Sequence, residues 1–223
     1  MSALILAVDT ALGACSAAVG TNGSLFAHQL EVMERGHAEA LAPMVEAVMA
    51  QARLTFSALE RLAVTTGPGT FTGQRVGLAF MRGLRLALDR PLIGVTSLAA
   101  MAHAACAETG LARAVALHDA RRGEVYVQSV GMADDYAEPR LVAFGEAVAA
   151  LSLVRAPFAL AGTAAEQAFA ALIPARGLTR LTAIRAPDAR YVAQLAAGAV
   201  PSGTPVRPLY LRPADARLPG TMR

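Results

Sequence analysis

Residues 65–88 read TTGPGTFTGQRVGLAFMRGLRLAL, and the period of the chain changes inside this stretch. The run at residues 62–66 is a buried-type strand. It meets Gly67-Pro68-Gly69, and after a short Thr-Phe-Thr segment a helical pattern follows, with small residues at Gly73 and Gly77. Two readings of the turn are open. It is a tight strand-to-helix connection with Thr70 or Thr72 as N-cap, or its amides and the helix N-terminus approach an anion. The spacing G-x-G-x-x-x-G is not the dinucleotide fingerprint, and a Walker loop requires a lysine that this sequence lacks.

Upstream, residues 4–10, 15–20 and 24–31 read as a three-stranded meander, with Asn22-Gly23 as a type I′ turn between the last two. Residues 37–54 carry helical periodicity through Pro43, which implies a later start or a kink. Downstream, residues 91–95 read as a strand and the alanine-rich Ser97–Thr109 as a helix ended by Gly110. The order then begins again: strands at 113–118, 123–131 and 140–144, a helix at 146–153, a strand at 158–161, a helix at 163–172, a strand at 180–184 and a helix at 188–199. In each half the first strand ends in an aspartate followed four residues later by glycine, Asp9/Gly13 and Asp119/Gly123.

Two halves of this order predict an α/β protein of the actin-like (ASKHA, ribonuclease H-like) two-lobed fold with duplicated βββαβα halves. The expected N-terminal lobe, carrying the partner-binding helices, covers residues 1–100 and the C-terminal lobe residues 101–223. The Pro/Arg-rich tail, 201–223, is expected to return to the first lobe, with residues 208–211 as a short strand. Fold alone assigns no chemistry.

The 223 residues are enough to bury about 70% of the unfolded surface. Hydrophobic residues make up 55% and charged residues 17%, which excludes disorder and leaves an apolar surface to explain. All twenty basic residues are arginine, so a phosphate-loop lysine, a Schiff-base lysine and a lysine general base are excluded. A net charge of +3 does not argue for nucleic-acid binding by the whole protein but leaves local arginine stripes open. Cys15 and Cys106 form no CxxC pattern, which points to reduced cytosolic thiols. The apolar opening at residues 3–8 lacks a basic flank and meets Asp9 too soon to span a membrane, so a cytoplasmic location is expected.

Asp9 and Asp119 fall at strand ends, where an acidic residue of an actin-like lobe holds magnesium-bound water or positions a nucleotide phosphate; the alternative is that each caps a local turn. With Thr10, Gly67 and Gly69 they make a candidate vestigial nucleotide site. Gly73 and Gly77 lie one turn apart on a helix, where each glycine costs about 1 kcal/mol, so another backbone must pack closely there, from this chain or a second one. Two helices are apolar over more than one face: Leu41, Met44, Val45, Val48 and Ala52 in the first, widened by Ala38, Ala42 and Met49, and Val76, Leu78, Phe80, Met81, Leu84 and Leu86 in the second. That girth suggests a partner surface, with Phe71, Gly73, Arg75, Gly77 and Arg82 contributing; a solvated stripe is the alternative for Arg75, Arg82 and Arg85. His28, His37, His103 and His118 form no metal-ligand pattern, and there is no G-x-S-x-G elbow.

The segments ILAVDTALGACSAAV, HAEALAPMV, TTGPGTFTGQRVGLAFMRGL, PLIGVTSL, DARRGEVYV and PLYLR, in that order, resemble the bacterial TsaB family of threonylcarbamoyladenosine tRNA-modification proteins, degenerate relatives of the glycoprotease-like TsaD proteins. GPG-T-F-T-G-x-R-x-G and DAR-x-GEVY carry the resemblance, whereas residues 134–199 match only in order of elements. It implies a non-catalytic subunit that pairs through its two N-lobe helices with a TsaD-type catalytic subunit, is joined by a TsaE-type ATPase subunit, and forms a homodimer by the same surface when alone. The assembly it implies transfers threonylcarbamoyl from its adenylate to N6 of adenosine 37 in tRNAs reading codons that begin with A. In that scheme tRNA is met only through the complex, the chain has no cofactor of its own, and ATP with magnesium belongs to the assembled complex. The catalytic relatives carry an H-x-x-x-H metal pair after the strand matching residues 91–95; the corresponding places here hold Ser97 and Met101, so that site does not carry over. The rival functions are an ATP-dependent phosphotransferase using Asp9, Asp119 and the glycine turn, and a glycoprotease-like metallopeptidase.

Overall fold

The computed structural model describes residues 3–133, 135–173, 176–201 and 203–212. The first half runs β1 (Ile5–Asp9), β2 (Ala14–Thr21), β3 (Ser24–Val32), α1 (His37–Gln51), β4 (Arg61–Gly67), α2 (Phe71–Leu88), β5 (Leu92–Thr96) and α3 (Ser97–Thr109). The second runs β6 (Ala114–Asp119), β7 (Glu124–Val130), β8 (Arg140–Ala143), α4 (Phe144–Ser152), β9 (Phe158–Ala161), α5 (Ala165–Ala171), β10 (Thr179–Leu181) and α6 (Ala189–Gly198). The two five-stranded sheets have corresponding orders, β3-β2-β1-β4-β5 and β8-β7-β6-β9-β10. In each, the opening meander is antiparallel and the last strands are parallel to the first. The repeated order of elements is thus a repeated topology.

Alternation along the strands sets the layers. Leu6 and Val8 of β1 pack with Leu41, Val45 and Val48 of α1 and Leu78 and Met81 of α2. Ile5 and Ala7 face the other way, onto Ala189, Val192, Ala193 and Ala196 of α6. On the second sheet Val115 and Leu117 join the core under α4 and α5, while Ala114 and Ala116 meet Leu98, Met101, Ala102 and Ala105 of α3. Since α3 and α6 touch each other, they form a layer between the sheets. Alanines on both helices and both inner sheet faces allow their close approach in this layer.

α6 comes from the far end of the sequence, yet it is pinned to the first sheet at both ends. Its N-cap Asp188 accepts from Arg190 N, and the amide of Ala189 donates to Ser16 Oγ on β2 at 2.9 Å. At the other end Arg61, the first residue of β4, donates to the carbonyls of Ala196, Ala197 and Ala199 at 3.5, 3.3 and 3.2 Å. These carbonyls are among those a helix leaves unpaired, and the cation sits at the negative end of its dipole.

Local expectations are corrected at several points. α1 runs from His37 straight through Pro43, whose missing donor falls at an exposed position. The β2–β3 turn is not type I′: Gly23 has φ 125, Asn22 is not in the positive-φ region, and a register shift at Val19/Gly20 absorbs the twist. Consecutive positive φ occurs instead at Arg121 (66), Arg122 (57) and Gly123 (72) between β6 and β7, where Glu124 N donates to Arg121 O. β10 covers Thr179–Leu181, not residues 180–184. Residues 208–211 form no strand; a backbone bond from Leu209 N to Thr66 O, 2.8 Å, ties them to β4. The remainder of the tail, 213–223, lies outside the described residues.

Candidate functional site

β1 delivers Asp9, fully buried, to the carboxyl end of the first sheet. Its Oδ1 accepts from Thr65 Oγ1 at 2.5 Å and from Ala11 N at 3.1 Å. Its Oδ2 has no partner among the described residues. Burial above all, with the charge of Asp188 adding to it, pushes the Asp9 pKa up to about 7 against the lowering effect of the Thr65 and Ala11 hydrogen bonds. Below about pH 7 such a carboxyl holds a proton, and the unpartnered Oδ2 is where that proton fits. A magnesium ion, which needs about six oxygen ligands including waters, does not fit a single enclosed carboxyl. Among the described residues no three His, Cys, Asp or Glu side chains converge as metal ligands.

The next residue, Thr10, engages α2. Its hydroxyl donates to Gly73 O at 2.7 Å and accepts from Gly77 N at 3.0 Å. A Cβ on Gly73 would stand 2.2 Å from Thr10 O, and one on Gly77 2.6 Å from Thr10 Oγ1. The close approach signalled by these glycines is therefore made within the chain.

The turn before α2 is filled in the same way. Thr70 N donates to Ala11 O at 2.8 Å, and Thr70 Oγ1, rather than Thr72, caps the helix by accepting from Gly73 N at 3.0 Å. Gln74 Nε2 donates to Gly69 O at 2.9 Å, and a Cβ on Gly69 would meet Ala11 O at 2.3 Å. The inner side of Gly67-Pro68-Gly69 is thus occupied by protein, and a nucleotide phosphate does not fit there.

Asp119, the counterpart of Asp9, lies across a cleft of about 260 Å³ lined by Leu12, Gly69, Thr70, His118 and Tyr126 among others. It is exposed, its Oδ1 accepts from Arg121 N at 2.8 Å, and its own amide donates to Thr163 Oγ1 at 2.9 Å. Of two aspartates equivalent in sequence order, one is a buried acid and the other closes a turn.

No sequence pattern singles out Asp188. Its carboxylate lies 2.8 Å from His28 Nε2 and 2.7 Å from Arg190 Nη2. Burial raises its pKa, but hydrogen bonds from His28 and Arg190 outweigh burial and hold it at about 2. Its partner on β3 is distant in sequence, so no local spacing could have paired them.

The outer layer of the first sheet is α1 and α2. Leu41, Met44, Val45, Val48, Leu78 and Met81 are buried against that sheet, and Gly73 and Gly77 are covered by Thr10, so within this chain these eight pack inward. Val76, Phe80 and Leu84 are partly buried against the same core, which accounts for the wide apolar girth of α2. Outward the pair presents Ala38, Ala42 and Ala50 on α1, with Glu39 and Glu46 among them, and Ala79, Gly83 and Ala87 on α2, beside Leu86 and the exposed arginines.

Phe71, Arg75 and Arg82 are exposed on the adjoining flank of α2, since 100° per residue puts Arg75 and Arg82 about 20° apart, Leu86 about 20° beyond Arg75 and Gly83 about 100° from Arg82. That flank meets the tail. Arg75 Nε donates to the Tyr210 hydroxyl at 2.9 Å, and the rings of Phe71 and Tyr210 stack with centroids 5.9 Å apart. Arg82 Nη2 donates to Val206 O at 2.5 Å. Arg212 crosses to the second half, bonding Ala120 O at 2.8 Å and the Glu124 carboxylate.

The family described as TsaD, tRNA N6-adenosine threonylcarbamoyltransferase, matches residues 29–197. The tRNA threonylcarbamoyladenosine biosynthesis protein TsaB of Escherichia coli (strain K12) is 41% identical over 122 residues, 55% of this chain and 52% of that protein. The chain spans about half the length of the curated relatives it matches. A Pseudomonas aeruginosa protein described as similar to the peptidase YEAZ has a crystal structure that matches with a TM-score of 0.77 at 31% identity, over 95% of this chain and 100% of that one. The ROK hexokinase of Thermus thermophilus matches with a TM-score of 0.50 at 16% identity, over 87% of this chain and 96% of that one, a likeness of fold alone that agrees with the actin-like topology. The chain belongs to the TsaD family, tRNA N6-adenosine threonylcarbamoyltransferase, and stands among its TsaB-type members.

Proposed function

We propose that this chain is a non-catalytic scaffold and activator subunit of the cytoplasmic complex that transfers a threonylcarbamoyl group to N6 of adenosine 37 in tRNAs reading codons that begin with A. The observation that carries the reading is the exposed two-helix face formed by Ala38, Ala42, Ala50, Ala79, Gly83 and Leu86. An exposed glycine inside a helix costs about 1 kcal/mol, and a Cβ at Gly83 would meet nothing within 4 Å in this chain, so its absence suits an incoming helix. On this face we place a TsaD-type catalytic subunit, and a second copy of the chain when it is alone; a TsaE-type ATPase subunit joins the assembled pair. The proton-holding Asp9, the self-satisfied Asp119 and the filled glycine turn support a non-catalytic role and leave ATP with magnesium to the assembled complex.

The test is co-expression with the TsaD-type subunit, comparing the wild type with a chain carrying both Ala42→Arg and Gly83→Arg. Two helix faces are adequate for a standard interface of about 1,600 Å² in total. The double variant is expected to keep its melting temperature and lose the complex. Absence of a wild-type complex, together with normal levels of the modified adenosine after depletion of this chain, would sink the reading.

A further inference from the structure

The flank of α2 turned towards the tail carries an arrangement that a helix-docking face does not need. The Arg75 guanidinium lies 3.5 Å from the centroid of Phe71 and 5.9 Å from that of Tyr210. Both rings are well exposed, at 60% and 49%, and their planes are 24° apart. Arg82 follows two turns later on the same flank, about 10 Å further along the axis. Between the two arginines runs a groove of about 390 Å³, lined by Leu78, Ala79 and Pro208 as well.

The charges on this flank are of one sign. α2 contains no acidic residue, and the ion pairs among the described residues involve other arginines. A guanidinium has five N–H donors, and the described hydrogen bonds engage one on Arg75 and one on Arg82. Tyr210 is fixed before any ligand arrives, because Leu209 N is bonded to Thr66 O and Val206 O to Arg82. The tail thereby builds one wall of the groove and preorganises the aromatic pair.

We infer that this flank is a binding site for single-stranded RNA, in which the ring faces of Phe71 and Tyr210 that Arg75 leaves uncovered take unstacked bases while Arg75 and Arg82 meet phosphates. Exposed aromatic faces beside arginines are what splayed nucleotides require, since every base has a π face and every linkage a charge. An acidic protein segment would use the arginines but give the two rings no role. The identification of the RNA as an anticodon loop rests on the proposed tRNA-modification function. The site itself goes further than that reading, because it gives this chain its own contact with tRNA.

The experiment is fluorescence anisotropy of the full chain, without any partner subunit, titrated into a labelled anticodon stem-loop over a range of salt. Saturable binding is expected, with log K falling against log salt at a slope of about −1.4 for two phosphates at about −0.7 each. Phe71→Ala and Tyr210→Ala should each weaken binding about 5- to 50-fold with little change in melting temperature, because both rings are exposed. Arg75→Gln should reduce the slope by about 0.7. Lack of saturable binding at low salt overturns the inference, as does binding indifferent to both ring variants. Equal competition by polyglutamate assigns the groove to an acidic peptide and overturns it too. No partner is present here and no RNA in the co-expression test, so the two readings fail separately.

Discussion

Thr10 Oγ1 stands between two glycines of α2, donating to the carbonyl of Gly73 and accepting from the amide of Gly77. A hydroxyl just after β1 thus occupies the space that the missing Cβ of Gly77 leaves, while the Thr10 carbonyl and Thr70 Oγ1 occupy that of Gly73, and together they fix the helix against the strand. Gly77→Ala should therefore destabilise the protein by about 2 kcal/mol, although alanine is the better helix former by about 1 kcal/mol. The added methyl would lie 2.6 Å from Thr10 Oγ1 and 3.4 Å from Val64 Cγ2, so Thr10 must rotate and give up both bonds. Urea denaturation of Gly77→Ala, Thr10→Ala and the double variant measures this. The double variant should be less destabilised than the sum, because removing the hydroxyl makes room for the methyl.

Gly83 is in the same helix but meets nothing within this chain, so Gly83→Ala should stabilise the monomer by about 0.5–1 kcal/mol when measured at a concentration too low for self-association. Opposite signs at two glycines six residues apart would separate an intramolecular packing role from an exposed position. A loss of stability in Gly83→Ala would show that this face is not free in the isolated chain.

The buried acid predicts a pH dependence of unusual sign. Asp9 has a folded pKa of about 7, above the ordinary carboxylate value, so between about pH 4 and pH 7 the folded state holds a proton that the unfolded state has released. Stability should fall as pH rises through that window, by at most about 4 kcal/mol for a shift of three units. Asp9→Asn mimics the neutral acid and keeps an acceptor for Thr65 and Ala11. It should match the wild type near pH 4 and exceed its stability at pH 8, read as the difference in urea midpoint across the range. A variant weaker than the wild type at pH 8 would show that the fold favours the Asp9 carboxylate over its neutral form.

What was legible in the sequence was local. α3 and β9 have the bounds expected for them, since Gly110 stops one and a short apolar run between Pro157 and Gly162 delimits the other. The duplicated order gave the topology, because each half repeats the same sequence of periods. What was not legible depended on contacts between distant segments. The destination of α6 is set by Ser16 and Arg61, and the tail has no period of its own, so only Thr66, Arg75 and Arg82 show where it lies. The girth of α2 has a cause inside the chain, since Val76, Phe80 and Leu84 serve its own core, and the exposed alanines and Gly83 between the arginines are residues that hydrophobic periodicity barely registers.

Asp188 joins three elements, and its removal should show in two separate readouts. It caps α6 at Arg190 N (2.8 Å), pairs with Arg190 and faces His28 of β3. Its folded pKa of about 2 lies below the unfolded value, so its contribution is present above about pH 4 and is lost as pH falls towards 2. A depression of nearly two units corresponds to about 2 kcal/mol, and the lost cap adds about 1 kcal/mol. Asp188→Ala should therefore cost about 3 kcal/mol at pH 7 and progressively less between pH 4 and pH 2, whereas Asp188→Asn, which still caps, should cost less at pH 7. The second readout is at Asp9, whose pKa is raised in part by the Asp188 charge. Without that charge the pH window in which the wild type loses stability should end lower, and a window left unchanged in Asp188→Ala would mean that the two carboxyl groups are not coupled.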